Sequence, residues 1–220
     1  MQASDGNLYG TTLQGGGNKC GTVFRISTGG AFTTLHNFNR ADGCGPEAVL
    51  IQGSDGSIYG TTNRGGSRGL GTIFKINLAS KFSRLYSFCS ESNCADGREP
   101  VAGLIQGTDG NFYGTTSRGG VSGTVFKSGT MYQITPGGTL TTLHNFNGSD
   151  GLQADWLLQG TDGSFYGIVE WRVCGEGCGT IYNLAAGLSP FCGNWAHEGQ
   201  GRESGNDRRK RSDRNRKCQF

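Results

Sequence analysis

Across most of the chain, apolar and polar residues alternate in short runs, each bounded by Gly, Asp, Asn or Ser. A period of two marks half-buried strands, and the bounding residues are those that make tight turns. Between residues 49 and 88 four such runs follow one another: Val49–Gln52, Ser57–Thr62, Thr72–Asn77 and Phe82–Phe88. Phe74 and Ile76 fall on one face with Lys75 opposite, and Phe82, Tyr86 and Phe88 are expected on a common face. Ser54-Asp55-Gly56 reads as a hairpin turn, because glycine adopts positive φ without steric cost.

This pattern recurs. Asp-Gly-x-apolar-Tyr-Gly occurs at Asp5–Gly10, Asp55–Gly60, Asp109–Gly114 and Asp162–Gly167, with Thr-Thr following in the first three copies. Gly-Thr-apolar-aromatic occurs at Gly21–Phe24, Gly71–Phe74 and Gly179–Tyr182. Leu-x-x-Phe occurs at Leu35–Phe38, Leu85–Phe88 and Leu143–Phe146, and a second Asp-Gly follows at Asp42, Asp96 and Asp150. In the third copy both Gly123 and Gly129 open a Gly-Thr phrase. Gly129 is in register, since it precedes Leu143 by the same 14 residues that separate Gly21 from Leu35. Residues 121–128 then read as an insertion. Four short antiparallel strands in about 50 residues is the size of a propeller blade, which buries its faces only against its neighbours. The expected fold is all-β, a β-propeller-like array of four-stranded antiparallel blades forming an incomplete ring. It comprises four tandem repeats over residues 1–191, the first lacking its first strand.

Leu104-Ile-Gln-Gly-Thr-Asp-Gly-Asn-Phe-Tyr-Gly-Thr-Thr, Gly129-Thr-Met-Tyr-Gln-Ile-Thr-Pro and Leu140-Thr-Thr-Leu-His-Asn-Phe closely resemble the gloeo/verruco tandem repeat. That repeat occurs in bacterial "choice-of-anchor" proteins, named for their varied surface-anchoring signals. The resemblance covers residues 1–191 and implies a propeller-like region of an exported or surface-anchored protein. It carries over no catalytic residue. Gly187-Leu-Ser-Pro-Phe191 resembles the family's exit from its last repeat, where the chain often continues into an immunoglobulin-like domain.

Composition supports turns over helices. Glycine supplies 41 of 220 residues, far above the usual ~7%, and glycine is costly inside helices. No Gly-X-Y period marks a collagen, and no apolar run approaches the ~18 residues of a membrane span. The formal charge is +3, but residues 202–220 hold eight Lys/Arg against three Asp/Glu, while residues 1–201 hold 12 against 14. The body is near neutral, so no nucleic-acid surface is expected. Residues 192–220 read as a disordered basic tail, and their abrupt change of composition is that of a frameshifted or truncated end. Met1 aligns within the first strand of a blade, and no signal peptide precedes it in this chain.

Eight cysteines need a reason. Cys89 and Cys94 flank one loop and Cys174 and Cys178 another, so local disulfides of an exported protein are expected at these two pairs, rather than zinc shared between blades. Cys20 matches Cys178 in the repeat, Cys44 lies in the next loop, and Cys192 and Cys218 belong to the tail. The first Asp column reads as turn chemistry rather than calcium ligation, since each loop supplies too few oxygens. The second column, with Glu47, Glu99 and Asp155 close by, could line one face and supply acid and base for glycoside cleavage, although repetition argues against one unique active site. His36 and His144 share a repeat position with Tyr86, and His36 is expected to pack beside Phe32 and Phe38. Gly15-Gly16-Gly17 lacks the lysine of a phosphate loop, and Gly-x-Ser-x-Gly is absent. Trp156 and Trp171 fit sugar stacking, with blade-interface packing as the default, and Trp195 lies in the tail.

These observations point to a non-catalytic extracellular or cell-surface module that binds a protein or glycan, with no catalytic residue, metal or cofactor expected. A carbohydrate-active hydrolase or lyase is the alternative, and a fragmentary gene product a third.

Overall fold

The computed structural model describes residues 1–120, 129–147, 152–171, 180–184 and 191–194. They form four sheets, each with its strands in chain order and every neighbouring pair antiparallel. The first blade holds β1 (Leu8–Thr12), β2 (Thr22–Ile26) and β3 (Phe32–Asn37), with Gln2 bridging Leu8 as a stub of a further strand. The second holds β4 (Ile51–Gln52), β5 (Ile58–Thr62), β6 (Thr72–Ile76) and β7 (Phe82–Ser87). The third holds β8 (Ile105–Gln106), β9 (Phe112–Thr116), β10 (Thr130–Ile134) and β11 (Leu140–Asn145). The fourth holds β12 (Leu152–Gln159), β13 (Phe165–Trp171), β14 (Thr180–Leu184) and β15 (Phe191–Asn194). The fold is all-β and propeller-like. The proposed insertion at 121–128 lies outside the described residues, while Gly129 opens β10 as its register requires.

Each recurring phrase has a structural task. The Asp of Asp-Gly accepts the N–H two residues on, and the Tyr four residues on donates its hydroxyl to the same carboxylate. These Tyr–Asp bonds measure 2.8, 2.8, 2.7 and 2.9 Å in the four blades. The Gly after Tyr lies beneath the ring of the adjacent strand. A Cβ on Gly60 would sit 2.5 Å from Cζ of Phe74, and Gly114 is covered in the same way by Tyr132. The second Thr of Thr-Thr pairs across the hairpin with the Thr of Gly-Thr, as Thr62 does with Thr72 at 2.8 Å.

One expectation fails for a reason that also recurs. Phe82, Tyr86 and Phe88 do not share a face. Ile73 pairs with Tyr86 but Phe74 pairs with Arg84, so Leu85 is an extra residue in β7. A bulge reverses the alternation beyond it. Phe82 therefore turns towards the first blade, while Tyr86 and Phe88 pack with Tyr132 of the third. The same shift occurs at Val23/Phe24 and at Met131/Tyr132. It also separates exposed Phe32 from His36 and buried Phe38.

Blades pack on each other through a repeated set of contacts. Tyr59 lies against Phe112, ring centres 4.0 Å apart, and Tyr113 against Phe165 at 4.1 Å. Gln106 of the third blade donates to the Ser54 hydroxyl at 3.0 Å and accepts the Ser54 N–H at 2.8 Å. Gln52 clasps Ser4 in the same way, and Gln159 accepts the Thr108 N–H. Thr61 and Thr115 each donate to a carbonyl of the next blade, Ala102 and Ala154. Three core clusters result, one at each junction of successive blades.

The expected tail boundary also moves. Residues from Cys192 on were expected to lack structure, yet Phe191–Asn194 pairs with β14 as β15. Main-chain pairing does not depend on the apolar alternation that this segment lacks. Residues 195–220, including Trp195 and Cys218, lie outside the described residues.

Candidate functional site

The loops that carry the chain from one blade to the next hold most of the candidate chemistry. Asp42 and Asp96 anchor them. Asp42 accepts the Asn39 N–H at 2.9 Å and faces Nε2 of His36 at 3.1 Å. Asp96 is fully buried and accepts the Tyr86 hydroxyl and the N–H groups of Ser90 and Glu91. Burial, and then the bond to Asp96, push the Tyr86 hydroxyl far above its ordinary range. His36 stacks on Phe82 of the second blade with centroids 3.6 Å apart. Burial holds its pKa below the ordinary histidine value despite the opposing pull of Asp42. Neutral at pH 7, it must donate from Nε2, because a carboxylate only accepts.

The second Asp column is thus a loop-anchoring column, with His36 and Tyr86 as alternative donors at one repeat position. Asp150 lies outside the described residues. Glu47 accepts from Asn63 at 2.6 Å, and Glu99 pairs with Arg118 at 3.1 Å. The first column is also fully engaged. Burial raises the Asp55 pKa, but bonds from Lys75, the Ser57 N–H and Tyr59 outweigh this and leave it below the usual carboxylate value. Asp109 is lowered by the same balance, with Tyr113 and Asn111 as donors.

Two disulfides staple these loops. Cys89 is bridged to Cys94 with Cα atoms 4.0 Å apart, closing the loop around Asp96. Cys20 is bridged to Cys44, Cα atoms 4.4 Å apart, a pair that spacing alone did not single out. The repeat did contain the signal. The Gly45 N–H bonds the Cys20 carbonyl as the Glu99 N–H bonds that of Leu70, so Cys20 and Cys44 occupy neighbouring stations of the repeat. Cys174 and Cys178 lie outside the described residues. Among the described residues no cluster of three or more His, Cys, Asp or Glu could hold a metal.

Beside the first disulfide lies a recess of about 410 Å³, lined by Arg40, Ala41, Cys44, Arg64, Gly65, Gly66 and Gly69. Cys44 and Arg64 exchange backbone hydrogen bonds of 2.8 and 3.0 Å, and the Gly66 N–H donates to the Arg40 carbonyl at 2.7 Å. Gly65 has φ 82°, and a Cβ there would collide with the Gly43 backbone at 2.5 Å, so the turn requires glycine. Neither Arg40 nor Arg64 has a carboxylate partner among the described residues. One blade on, Arg98 and Arg118 form the equivalent bridge, and there Glu99 neutralises Arg118. Gly45 holds the station of Glu99, with the same left-handed backbone (φ 68° and 56°), so the first recess keeps its positive charge. Thr-Thr-Asn-Arg-Gly-Gly and Thr-Thr-Ser-Arg-Gly-Gly carry this site in the sequence. Arg40 could not be placed there without the fold.

Trp156 does not fill a junction between described blades. It is 71% exposed on the outer face of the fourth blade.

A family model, the Gloeobacter/Verrucomicrobia repeat, matches residues 1–182. The chain belongs to this repeat family. No curated protein matches it. It is similar in fold to a candidate gluconolactonase at 12% identity and TM-score 0.50, with 79% of this chain and 55% of that one covered. It is also similar to a protein of unknown function from Dyadobacter fermentans at 11% identity and TM-score 0.53, covering 84% of this chain and 64% of that one. The chain therefore spans a little over half the length of the first of these and under two thirds of the second. In this Gloeobacter/Verrucomicrobia repeat chain the matched region takes in all four Asp-Gly turns, the clasps between blades and the two disulfides seen among the described residues. No helix among the described residues is long and apolar enough to cross a membrane.

Proposed function

We propose that the chain is a non-catalytic extracellular or cell-surface repeat module, and that the recess at Arg40 and Arg64 binds an acidic glycan. The observation that carries this reading is charge left over at one station. Arg118 is neutralised by Glu99, whereas Arg64 faces open space beside Arg40 and a glycine turn. Guanidinium groups suit bidentate recognition of carboxylate or sulfate, and the volume lies within the range of small-ligand pockets. Disulfides at the loops favour an oxidising compartment. Among the described residues Asp42, Asp96, Glu47 and Glu99 are engaged in loop anchors and ion or hydrogen-bond pairs, which favours binding over bond cleavage.

Titration calorimetry with polygalacturonate and with neutral dextran tests this. Polygalacturonate should bind and dextran should not, and Arg40→Glu with Arg64→Glu should weaken binding at least tenfold. Equal binding of both polymers, or binding unaltered in the variant, contradicts the proposed site. Release of reducing ends from polygalacturonate would replace the binding reading with the hydrolytic one.

A further inference from the structure

Blade packing in this chain is directional. Each blade has a leading face that meets the blade before it and a trailing face that meets the blade after it. On the leading face sit the apolar residue before Tyr (Ile58, Phe112, Phe165) and the clasping Gln (Gln52, Gln106, Gln159). On the trailing face sit the Tyr itself, the Ser or Thr that the Gln clasps, and the apolar residue of Gly-Thr (Val23, Ile73, Met131). At the three internal junctions the apolar residues and the Tyr are buried, while the clasping Gln is half-buried and its Ser or Thr partner sits at the exposed rim.

Two faces remain uncovered by described residues, and they are opposite halves of the same contact. On the leading face of the first blade, Leu8 holds the station of Ile58 and Phe112 and is 48% exposed, against 0% and 1% for those two. Phe32, at the station of Phe82, is 60% exposed. Gln2 donates to the Gly6 carbonyl as Gln52 does to that of Gly56, which leaves its side-chain oxygen unused. On the trailing face of the fourth blade, Ile181 is 43% exposed where Val23, Ile73 and Met131 are fully buried. Cross-strand neighbours Trp156, Ile168 and Ile181 form one row there. Ile168, 48% exposed, replaces the Thr that reaches a carbonyl of the next blade, and adds apolar area instead. Thr161 holds the station of Ser54 and Thr108.

We propose that these two faces bind each other between copies of this chain, the leading face of one copy's first blade on the trailing face of its partner's fourth. Leu8 seats against Tyr166 as Phe112 seats against Tyr59, Gln2 clasps Thr161, and Phe32 adds apolar area. Such a head-to-tail contact is heterologous, and it closes when the rotation permits. Two copies bring eight blades, within the size range of closed propellers. Contiguous apolar surface of this kind is unusual on a monomer.

Sedimentation equilibrium of the intact chain at about 50 μM tests the proposal. The 23.3 kDa chain should behave as a dimer of roughly twice that mass. Leu8→Asp with Phe32→Asp, and separately Ile168→Asp with Ile181→Asp, should each give folded monomers, checked by unchanged circular dichroism. Mixing the two variants should restore a dimer, since each keeps the face the other has lost. A monomeric wild type overturns the proposal. So does a dimer lost in only one of the two variants, or a mixture that stays monomeric.

Discussion

The second and fourth blades share the Asp-Gly and Gly-Thr phrases and meet different surroundings. The second is covered on both sides, so Ile58, Ile73 and Phe74 are all fully buried. Among the described residues the fourth is covered on one side, and Ile168 and Ile181 remain open. A blade therefore does not determine its own burial. The phrase sets the hairpins, and the neighbour decides which face becomes core. Repeat proteins are stabilised by nearest-neighbour interfaces, and the contrast between these two blades locates that stabilisation in the junctions.

The largest difference should appear on truncating a junction ring. Phe112→Ala should cost about 3–5 kcal/mol, read from urea unfolding, because its ring lies against Tyr59. Leu8→Ala, at the same station on the open face, should cost well under half of that. Equal costs would erase the distinction between covered and open faces.

Reduction of the Cys20–Cys44 bridge comes next. Its closed loop spans 24 residues, for which chain entropy gives about 3 kcal/mol. Cys20→Ser with Cys44→Ser should lower the unfolding midpoint accordingly, and should loosen the Arg40 and Arg64 recess more than the third blade, as read by hydrogen exchange. Gly60→Ala follows, at about 1–3 kcal/mol for overpacking, since the new methyl would meet Phe74 at 2.5 Å.

The smallest effect is that of pH. His36 has a folded pKa below its ordinary value, so the unfolded chain takes up its proton first as pH falls. Its contribution is fully present above the unfolded value of about 6.5 and is lost as pH falls through the folded one. Asp55 and Asp109, also lowered, contribute above their unfolded value and lose that contribution as pH falls below it. Thermal midpoints should therefore drop in two stages between pH 8 and pH 3. His36→Tyr, which installs the residue that Tyr86 supplies in the next repeat, should remove the upper stage and keep the lower. A profile unchanged by that substitution would detach His36 from the loop it is held to anchor.

The hairpins, the turn role of the first Asp column and the register of Gly129 were legible in the sequence, because each rests on local chemistry at fixed spacing. The face of Tyr86 was not. One extra residue at Leu85 reverses the alternation, and nothing in the residue types near it marks a bulge. Arg64 and Arg118 look alike in sequence, and only the loop crossing from the preceding blade supplies one with Glu99 and the other with Gly45. The pairing of Cys20 with Cys44 likewise depends on how two loops meet. What escaped sequence reading lies between blades or where loops cross, at distances set by packing and not by spacing.

The central claim is that successive blades hold one another through matched side chains. A double-mutant cycle between Tyr59→Leu and Phe112→Leu tests it most directly, because the two rings belong to different blades and lie 4.0 Å apart. The account predicts a coupling of about 0.5–1.5 kcal/mol. Costs that add to within about 0.3 kcal/mol would mean that the rings do not meet, and would contradict the order in which the blades are packed.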